Sequence, residues 1–217
     1  MPTITLLEVQ KNNKERVNVY LDGEFAFGLN VMDAVLLRKG QELDDAAIVE
    51  LKHKDAIVKA YDQAVQLLAR RPYSIQEVKQ KLSRKDRPPD VVAAVLERLQ
   101  QYGYLDDAAF ARYWVDNRTR FKPRGSRALR YELMQKGVAS TIIDDVLNEE
   151  LEEDDAAYRA AQKRARRMRG STKAAFEQKV GGFLQRRGFN YGTSQEALRQ
   201  VVAELEEEDP EFFQEDG

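Results

Sequence analysis

The sequence predicts a mainly α-helical fold: an elongated array of three tandem three-helix repeats, preceded by a small antiparallel β-sheet. Two sets of leucines recur every 51 residues, and they are Leu82, Leu133 and Leu184, then Leu96, Leu147 and Leu198. A period near this length is typical of helical units that stack on copies of themselves. Alternating apolar and polar residues, confined to the first thirty positions, predict the sheet.

The first thirty residues carry a hairpin signal. An Asp22-Gly23 pair lies between two alternating runs, the second of which would place Phe25, Phe27 and Leu29 on one side. Asp-Gly favours a tight turn between strands because both turn positions need a positive φ. The predicted elements are strands over residues 3–10, 16–21 and 24–29 and a short helix over 31–37 that stops at Gly40.

Helix-start and helix-stop signals divide the rest of the chain. Ser74 with Glu77 is a capping-box pattern, and Asp106 or Asp107 would cap the first helix of the second repeat. The acidic C-terminal residues have the composition of a disordered tail. The predicted domains are the sheet with its helix (1–44), three repeats (45–104, 105–150 and 151–205) and an acidic, disordered tail (206–217).

Composition excludes several classes of protein. The chain has no cysteine, so it can form neither a disulfide framework nor a thiolate metal site. Its N-terminus lacks the pattern of a signal peptide, and no apolar run approaches the ~20 residues of a membrane-spanning helix. These features predict a soluble, cytoplasmic protein with no membrane partner.

No arrangement of side chains predicts catalysis. His53 is the one histidine, and no phosphate-binding glycine loop is present. Asp106 and Asp107 could be imagined as a pair holding Mg²⁺, but the favoured interpretation is that one caps a helix and the other stabilises its first turn. The sequence therefore predicts a protein that is not an enzyme and needs no cofactor.

Charge is segregated along the chain although the net charge is only −2. Between residues 110 and 138 there are eight basic residues and two acids, whereas acids dominate residues 149–155 and 204–216. Blocks of opposite sign predict a basic face with acidic separators.

Two segments concentrate the candidate binding residues. Arg159, Lys163 and Arg166 have the spacing of one helix side, and every charged position from 159 to 173 is basic; a merely solvated face is the alternative. The loop 121–125 joins basic and aromatic residues before a helix N-terminus, as in phosphate-binding elements. Tyr113 and Trp114 are interpreted as core residues rather than stacking platforms. The candidate filament- or DNA-binding residues are Arg118, Arg120, Lys122, Arg124, Arg127, Arg130, Arg159, Lys163, Arg164, Arg166, Arg167, Arg169, Lys173, Arg186 and Arg187.

Several segments resemble signatures of the RecX family of bacterial recombinase regulators. The matching segments are 8–10, 20–23, 69–82, 103–111, 125–138 and 179–189, of which Gly103-Tyr104-Leu105-Asp106-Asp107-Ala108-Ala109-Phe110-Ala111 is the most specific. Asp86 departs from the pattern, which has a glycine at this position. The departure leaves only the cap of one helix in question.

The resemblance implies a function that periodicity alone does not show. Family members are expected to lie in the groove of a RecA–DNA filament and to inhibit its ATPase, strand-exchange and coprotease activities. The implied partners are the RecA filament and DNA, bound directly or through the filament, by a monomer. A free nucleic-acid-binding protein is the alternative, and a nuclease is a remote third.

Overall fold

The computed structural model describes residues 1–214, which divide into two compact units. The first unit comprises Met1–Tyr73 with Val78–Leu105, and the second comprises Ser74–Glu77 with the chain from Asp106 onward. The fold is mainly α-helical with one small antiparallel sheet, as predicted. Within the described residues, no helix combines the length and apolar character needed to cross a membrane.

The first unit begins with a three-stranded antiparallel sheet in the order β1-β2-β3. Its strands are β1 (Ile4–Gln10), β2 (Asn13–Leu21) and β3 (Glu24–Asn30). Asp22 and Gly23 join β2 to β3 with φ of 49° and 89°. These values confirm the predicted hairpin turn, in which both positions have positive φ.

The strand β3 differs from its prediction at Phe25. Phe27 and Leu29 are buried, but Phe25 is 59% exposed. The register shifts between Val19, opposite Phe27, and Tyr20, opposite Phe25, so β3 carries an extra residue there. Such a bulge changes the direction in which the next side chain points. The prediction that Phe25 shares the face of the other two residues is therefore wrong.

Ten helices follow in the part of the chain that the structure describes. They are α1 (Val31–Ala34), α2 (Asp45–Leu68), α3 (Ile75–Ser83), α4 (Pro89–Gln101), α5 (Asp107–Phe121), α6 (Ser126–Gln135), α7 (Ser140–Glu150), α8 (Glu153–Ala165), α9 (Lys173–Arg186) and α10 (Tyr191–Glu208). The first is shorter than the predicted 31–37, although the chain does turn at Gly40 with φ 85°. The capping box before α3 is confirmed, since the Glu77 amide donates to Ser74 Oγ and the Ser74 amide donates to the Glu77 carboxylate.

The periodic leucines occupy equivalent buried positions. Leu82, Leu133 and Leu184 are each 0% exposed, on α3, α6 and α9. The second set is also buried, on α4, α7 and α10, and it consists of Leu96, Leu147 and Leu198. Leu133 belongs to one apolar cluster and Leu184 to another. Each three-helix repeat of the second unit therefore has its own core.

A glycine contact recurs in the second unit with the same 51-residue step. Gly137 and Gly188, with φ of 78° and 87°, end α6 and α9. A Cβ added to Gly137 would lie 2.5 Å from the Cβ of Gln76, and one added to Gly188 would lie 2.5 Å from the Cβ of Ala128. Each glycine thus packs against the first turn of the middle helix 51 residues earlier. We call this contact the glycine joint.

A hydrogen bond to a backbone carbonyl oxygen aligns each glycine joint. Ser74 Oγ donates to the carbonyl oxygen of Lys136 at 2.6 Å. The amide of Gly125 donates to the carbonyl oxygen of Arg187 at 3.0 Å. Ser74 and Gly125 are themselves 51 residues apart, as are the two acceptors. The hydrogen-bonded segments of the two joints therefore share one register, although Gly137 contacts Gln76 and Gly188 contacts Ala128, whose counterpart 51 residues earlier is Glu77.

A carboxylate completes each joint at the start of the middle helix. Asp107 Oδ1 accepts from the Ile75 amide at 2.9 Å, and Glu153 Oε1 accepts from the Ser126 amide at 3.0 Å. Negative charge at a helix N-terminus satisfies a free amide and interacts favourably with the helix dipole. Asp106 caps its own helix α5. Both carboxylates of the Asp106-Asp107 pair therefore serve helix N-termini, but Asp107 serves that of α3.

Substitution of Asp107 separates hydrogen bonding from charge. Burial raises the pKa of the Asp107 carboxyl above its ordinary 3.8. The hydrogen bond from the Ile75 amide lowers this pKa, but the effect of burial is larger. The stability that this group contributes is full below pH ~4 and is lost as pH rises through the raised pKa. Asp107→Ala should cost about 0.5–2 kcal/mol by removing the acceptor. Asp107→Asn should keep the acceptor, and its stability should rise relative to that of wild type as the pH rises above ~4. Urea titrations at several pH values measure the two free energies of unfolding. A difference between them that does not change with pH would mean that the carboxylate charge is irrelevant.

The acidic C-terminal segment is ordered as far as the structure describes it, so the prediction of disorder is wrong for residues 206–214. Helix α10 continues to Glu208, and Phe212 is only 6% exposed. Phe212 packs edge-on against Phe176, with ring centroids 6.2 Å apart. An acidic average composition conceals these aromatic anchors. Residues 215–217 of the predicted tail lie outside the described residues.

Candidate nucleic-acid interface

A cleft lined mainly by basic side chains lies within the second unit, where the end of α5 meets α8 and α9. Its cavity volume is about 520 Å³. We call it the basic cleft, and it is lined by Phe121, Lys122, Pro123, Arg124, Ala160, Lys163, Arg164, Arg167, Phe183 and Arg187. Six of these ten residues are basic and none is acidic. The structure thus brings six of the predicted binding residues together.

Local sequence explains how these side chains converge. Helix α5 ends at Phe121, and Lys122 leaves the helical region with φ −143° and ψ 73° ahead of Pro123. Proline has no amide hydrogen and disfavours helical geometry in the residue before it. On the opposite side α8 ends at Ala165, so Arg167 projects from the turn that follows. Helix α9 also ends just before Arg187, so three chain segments end or turn at the cleft.

The cations of the basic cleft are poorly neutralised. Arg124 Nε lies 2.9 Å from Glu132 Oε1. Within residues 1–214, the other cleft cations form no ion pair, and they are Lys122, Lys163, Arg164, Arg167 and Arg187. Burial, with a smaller contribution from the charge on Arg124, lowers the pKa of the Arg187 guanidinium. Both effects disfavour a bare positive charge here, so an anion would be bound favourably.

Two phenylalanines accompany the cations, and they differ in accessibility. The Phe183 ring has the guanidinium of Arg187 5.0 Å from its centroid and that of Arg164 5.9 Å away. Phe121, by contrast, is 66% exposed at the end of α5. One ring therefore supports two arginines, while the other presents apolar surface to solvent beside Lys122.

The preceding joint shows how such cations can be neutralised. Lys136, which is 51 residues before Arg187, places its Nζ 2.8 Å from Glu77 Oε1. Fifty-one residues after Glu77 the chain has Ala128, which offers no carboxylate. Arg187 therefore lacks the partner that its counterpart has.

A second acid has been replaced in the same way. Glu132 accepts from the Trp114 indole at 2.7 Å and from Arg118 Nε at 2.8 Å. Fifty-one residues later the position is Phe183, which faces Arg164. Arg118 and Arg164 are equivalent, because each lies twelve residues after the N-cap residue of its helix. The basic cleft is thus the counterpart of a neutralised joint from which both acids are missing.

Most other predicted binding residues are engaged in ion pairs. Six of them have acidic partners, and the pairs are Arg118–Glu132, Arg120–Asp116, Arg130–Asp144, Arg159–Asp155, Arg169–Asp209 and Lys173–Glu206. Arg127, Arg166 and Arg186 are exposed and have no acidic partner within residues 1–214, but they do not line the cleft. The predicted set therefore separates into cleft, paired and isolated cations.

Three details of the sequence interpretation need correction. Arg159, Lys163 and Arg166 do not act as one face, because Arg159 pairs with Asp155 and only Lys163 lines the cleft. The α6 N-terminus is not open to phosphate, because Glu153 already accepts from its first amide and from Ser126 Oγ. Trp114 packs against the core, but Tyr113 is 40% exposed.

Phe183 is the cleft residue that sequence reasoning missed. Its side chain is partly buried against the core of the third repeat, as an apolar helix residue is expected to be. The signal that would have identified it is the 51-residue step, which aligns it with Glu132. A change from acid to aromatic at one repeat position removes a charge partner and adds a ring.

Family models match four successive parts of the chain. They are described as the RecX N-terminal domain (residues 2–44) and the first (60–99), second (106–147) and third (152–198) three-helix domains of RecX. The matched ranges include the sheet and the three helices that line the basic cleft, α5, α8 and α9.

Relatives of similar length also match. Regulatory protein RecX of Bacillus pumilus is 34% identical over 218 residues, covering 97% of this chain and 82% of that protein. The protein of the same name from Bacillus subtilis strain 168 is 32% identical, covering 96% and 80%. A crystal structure of regulatory protein RecX superposes with a TM-score of 0.74 and 29% identity, covering 94% of this chain and all of that one. The RecX structure from Lactobacillus salivarius, 21% identical with a TM-score of 0.62 over 69% of this chain and 98% of that one, shares the fold. The chain therefore belongs to the RecX family of regulatory proteins.

Proposed function

We propose that this protein binds RecA–DNA filaments in the filament groove and lowers the recombinase's ATPase, strand-exchange and coprotease activities. It would act in the cytoplasm as a monomer without catalytic activity of its own, in homologous recombination, DNA repair and the SOS response. Membership of the RecX family supports the target. The relatives are named regulatory proteins, which agrees with a role exerted through binding.

The observation that carries the proposal is the unneutralised basic cleft in a protein of this family. Stacked helical repeats offer broad surfaces suited to macromolecular partners. A surface with five cations that have no acidic partner among residues 1–214 attracts DNA phosphates or acidic protein surfaces. Held against neighbouring filament subunits, the protein would obstruct the movements and the access of a second DNA that strand exchange requires.

A second candidate function is free nucleic-acid binding without a recombinase. The exposed Phe121 beside the cleft favours it, because aromatic rings and basic grooves together bind single strands. The two functions differ in the component that is required. A free binder would bind DNA tightly on its own, whereas a filament regulator needs RecA for its main effect.

Filament binding predicts a change in RecA turnover. At saturating protein, we expect single-stranded-DNA-dependent ATP hydrolysis by RecA to fall severalfold, while the protein alone hydrolyses no ATP. Co-sedimentation with RecA filaments on single-stranded DNA, compared with RecA alone and DNA alone, measures the binding that underlies this effect. An unchanged hydrolysis rate together with retention on bare DNA would favour the second candidate function.

A further inference from the structure

The basic cleft also has the features of a site for one defined kind of ligand. We propose that it binds a short stretch of single-stranded nucleic acid, with phosphodiester groups on its cations and one unpaired base stacked on Phe121. The inference deepens the proposed function, and it rests on that function only in assigning the strand to a filament.

The cations suit phosphodiester oxygens. Arg164, Arg167 and Arg187 offer planar guanidinium groups that bind phosphate through paired hydrogen bonds, and Lys122 and Lys163 add point charges. Arg164 Nε is buried and has no hydrogen-bond partner in the described structure. A buried donor without a partner is unfavourable unless a ligand or water supplies an acceptor.

The aromatic residues suit an unpaired base. Phe183 is partly buried and already covered by two guanidinium groups, so the accessible ring is that of Phe121, 66% exposed. Every nucleobase has a π-face, and stacking on an aromatic side chain tolerates any sequence. A ring next to Lys122 and Lys163 can therefore take a base while those lysines hold the adjoining phosphates.

Size and chemistry distinguish this ligand from the alternatives. A cavity of about 520 Å³ is in the range of small-ligand sites, so it fits one or two nucleotides and not the width of a duplex. An acidic peptide would use the cations but has no group that needs the exposed ring. Five cations without an acidic partner in residues 1–214, next to one exposed ring, therefore favour a single strand.

A charge-matched comparison tests the location of the site. The cleft variant replaces Lys122, Lys163 and Arg167 with alanine, and the control variant replaces Arg127, Arg166 and Arg186. Each loses three exposed cations without an acidic partner in residues 1–214, so net charge falls equally. We expect the cleft variant to bind a fluorescent twelve-residue oligothymidine at least about tenfold more weakly than wild type, and the control variant within about threefold.

The salt dependence of the same binding reports phosphate contacts. Each phosphate contact contributes about −0.7 to the slope of log affinity against log salt for a single strand. Loss of three contacts should therefore flatten the slope by about 2 in the cleft variant, with little change in the control. Equal weakening and equal slopes for both variants would show diffuse charge attraction and would overturn the inference.

A second comparison tests the stacked base. Phe121→Ala should weaken oligothymidine binding about fivefold or more, Phe121→Trp should preserve it, and Tyr131→Ala, which removes a ring of 65% exposure outside the cleft, should have no effect. With a strand of abasic deoxyribose phosphates, wild type and Phe121→Ala should bind equally. If Phe121→Ala binds oligothymidine like wild type, and polyglutamate competes as well as the oligonucleotide does, the cleft is an acidic-peptide site and the inference fails.

Duplex DNA and RecA filaments separate this inference from the proposed function. A blunt duplex of the same length should lose no more affinity in the cleft variant than in the control variant. Oligonucleotide binding that depends on the cleft, without retention on RecA filaments, would overturn the proposed function and support the inference. Conversely, a cleft variant could remain bound to RecA filaments and bind the oligonucleotide as tightly as wild type does. That result would support the proposed function and overturn the inference. Unchanged thermal unfolding should accompany every variant, because all the replaced side chains are exposed.

Discussion

Leu133→Ala should lower the free energy of unfolding by about 2–5 kcal/mol, because a fully buried side chain is lost and a cavity remains. Leu133 is 0% exposed in the cluster that joins α5, α6 and α7. Met134, its neighbour on the same helix, is 55% exposed, so Met134→Ala should change stability by less than about 1 kcal/mol. Urea unfolding of the two variants gives the comparison directly.

Hydrogen exchange then locates the damage from the Leu133 change. In stacked repeats each unit is stabilised by its own core and by its neighbours, so amide protection should fall most within residues 106–150. Leu184→Ala, in a separate core, should leave the sheet and the first repeat largely protected. A uniform loss along the whole chain in either variant would indicate one cooperative globule and would contradict modular repeats.

Gly188→Ala should be comparably damaging for a different reason. Alanine at φ 87° adopts a left-handed conformation that costs about 1–2 kcal/mol. Its Cβ would also lie 2.5 Å from the Ala128 backbone nitrogen and Cβ, and relief of such overlap typically costs about 1–3 kcal/mol more. Because the glycine joint positions Arg187, oligonucleotide binding should weaken as well.

Gly103→Ala is the matched control for the Gly188 change. Gly103 also follows a helix with positive φ, 71°, but nothing lies within 4 Å of an added Cβ. It should therefore incur the conformational cost alone. Denaturant titrations of the two variants would give the packing contribution of the joint as a difference, and equal losses would mean that the joint can relax around a methyl group.

Local chemistry made much of the fold predictable. The Asp22-Gly23 turn and the Ser74–Glu77 capping box each depend on residues close in sequence, and the structure confirms both. The leucine period was equally informative because a buried position must recur when a unit recurs. Phe25 was mispredicted because a bulge depends on the partner strand, which alternation in a single strand does not reveal.

The candidate site was harder to predict because ion pairing is a tertiary property. Arg169 and Lys173 look like members of a basic run, yet Asp209 and Glu206 neutralise them from more than thirty residues away. Conversely, Arg187 looks like an ordinary helix-ending cation, and its isolation appears only when Ala128 is seen where Glu77 would be. The sequence gives the number and positions of these charges, but their ion-pair partners are known only from the structure.

Asp86 also acquires an explanation from the structure. It stands 51 residues before Gly137, and it too has a positive φ, 51°. Aspartate tolerates this region better than most residues. No three-helix repeat precedes the first one, so this position has no earlier middle helix to pack against. Positions 137 and 188 therefore need glycine because the chain there lies close to an earlier middle helix. Position 86 needs only a residue that tolerates a positive φ.

The glycine joint has two unlike halves, which makes it a head-to-tail contact. Contacts of this heterologous kind contain no inherent stopping point, so further copies could in principle be added without limit. Here the start of α9 is covered instead by the chain's own residues 209–214: the Gly170 amide donates to the carbonyl of Phe212, and the Gln214 amide donates to that of Ser171. Residues 209–214 therefore cover the start of α9, which is where a further repeat of the same kind would have to pack.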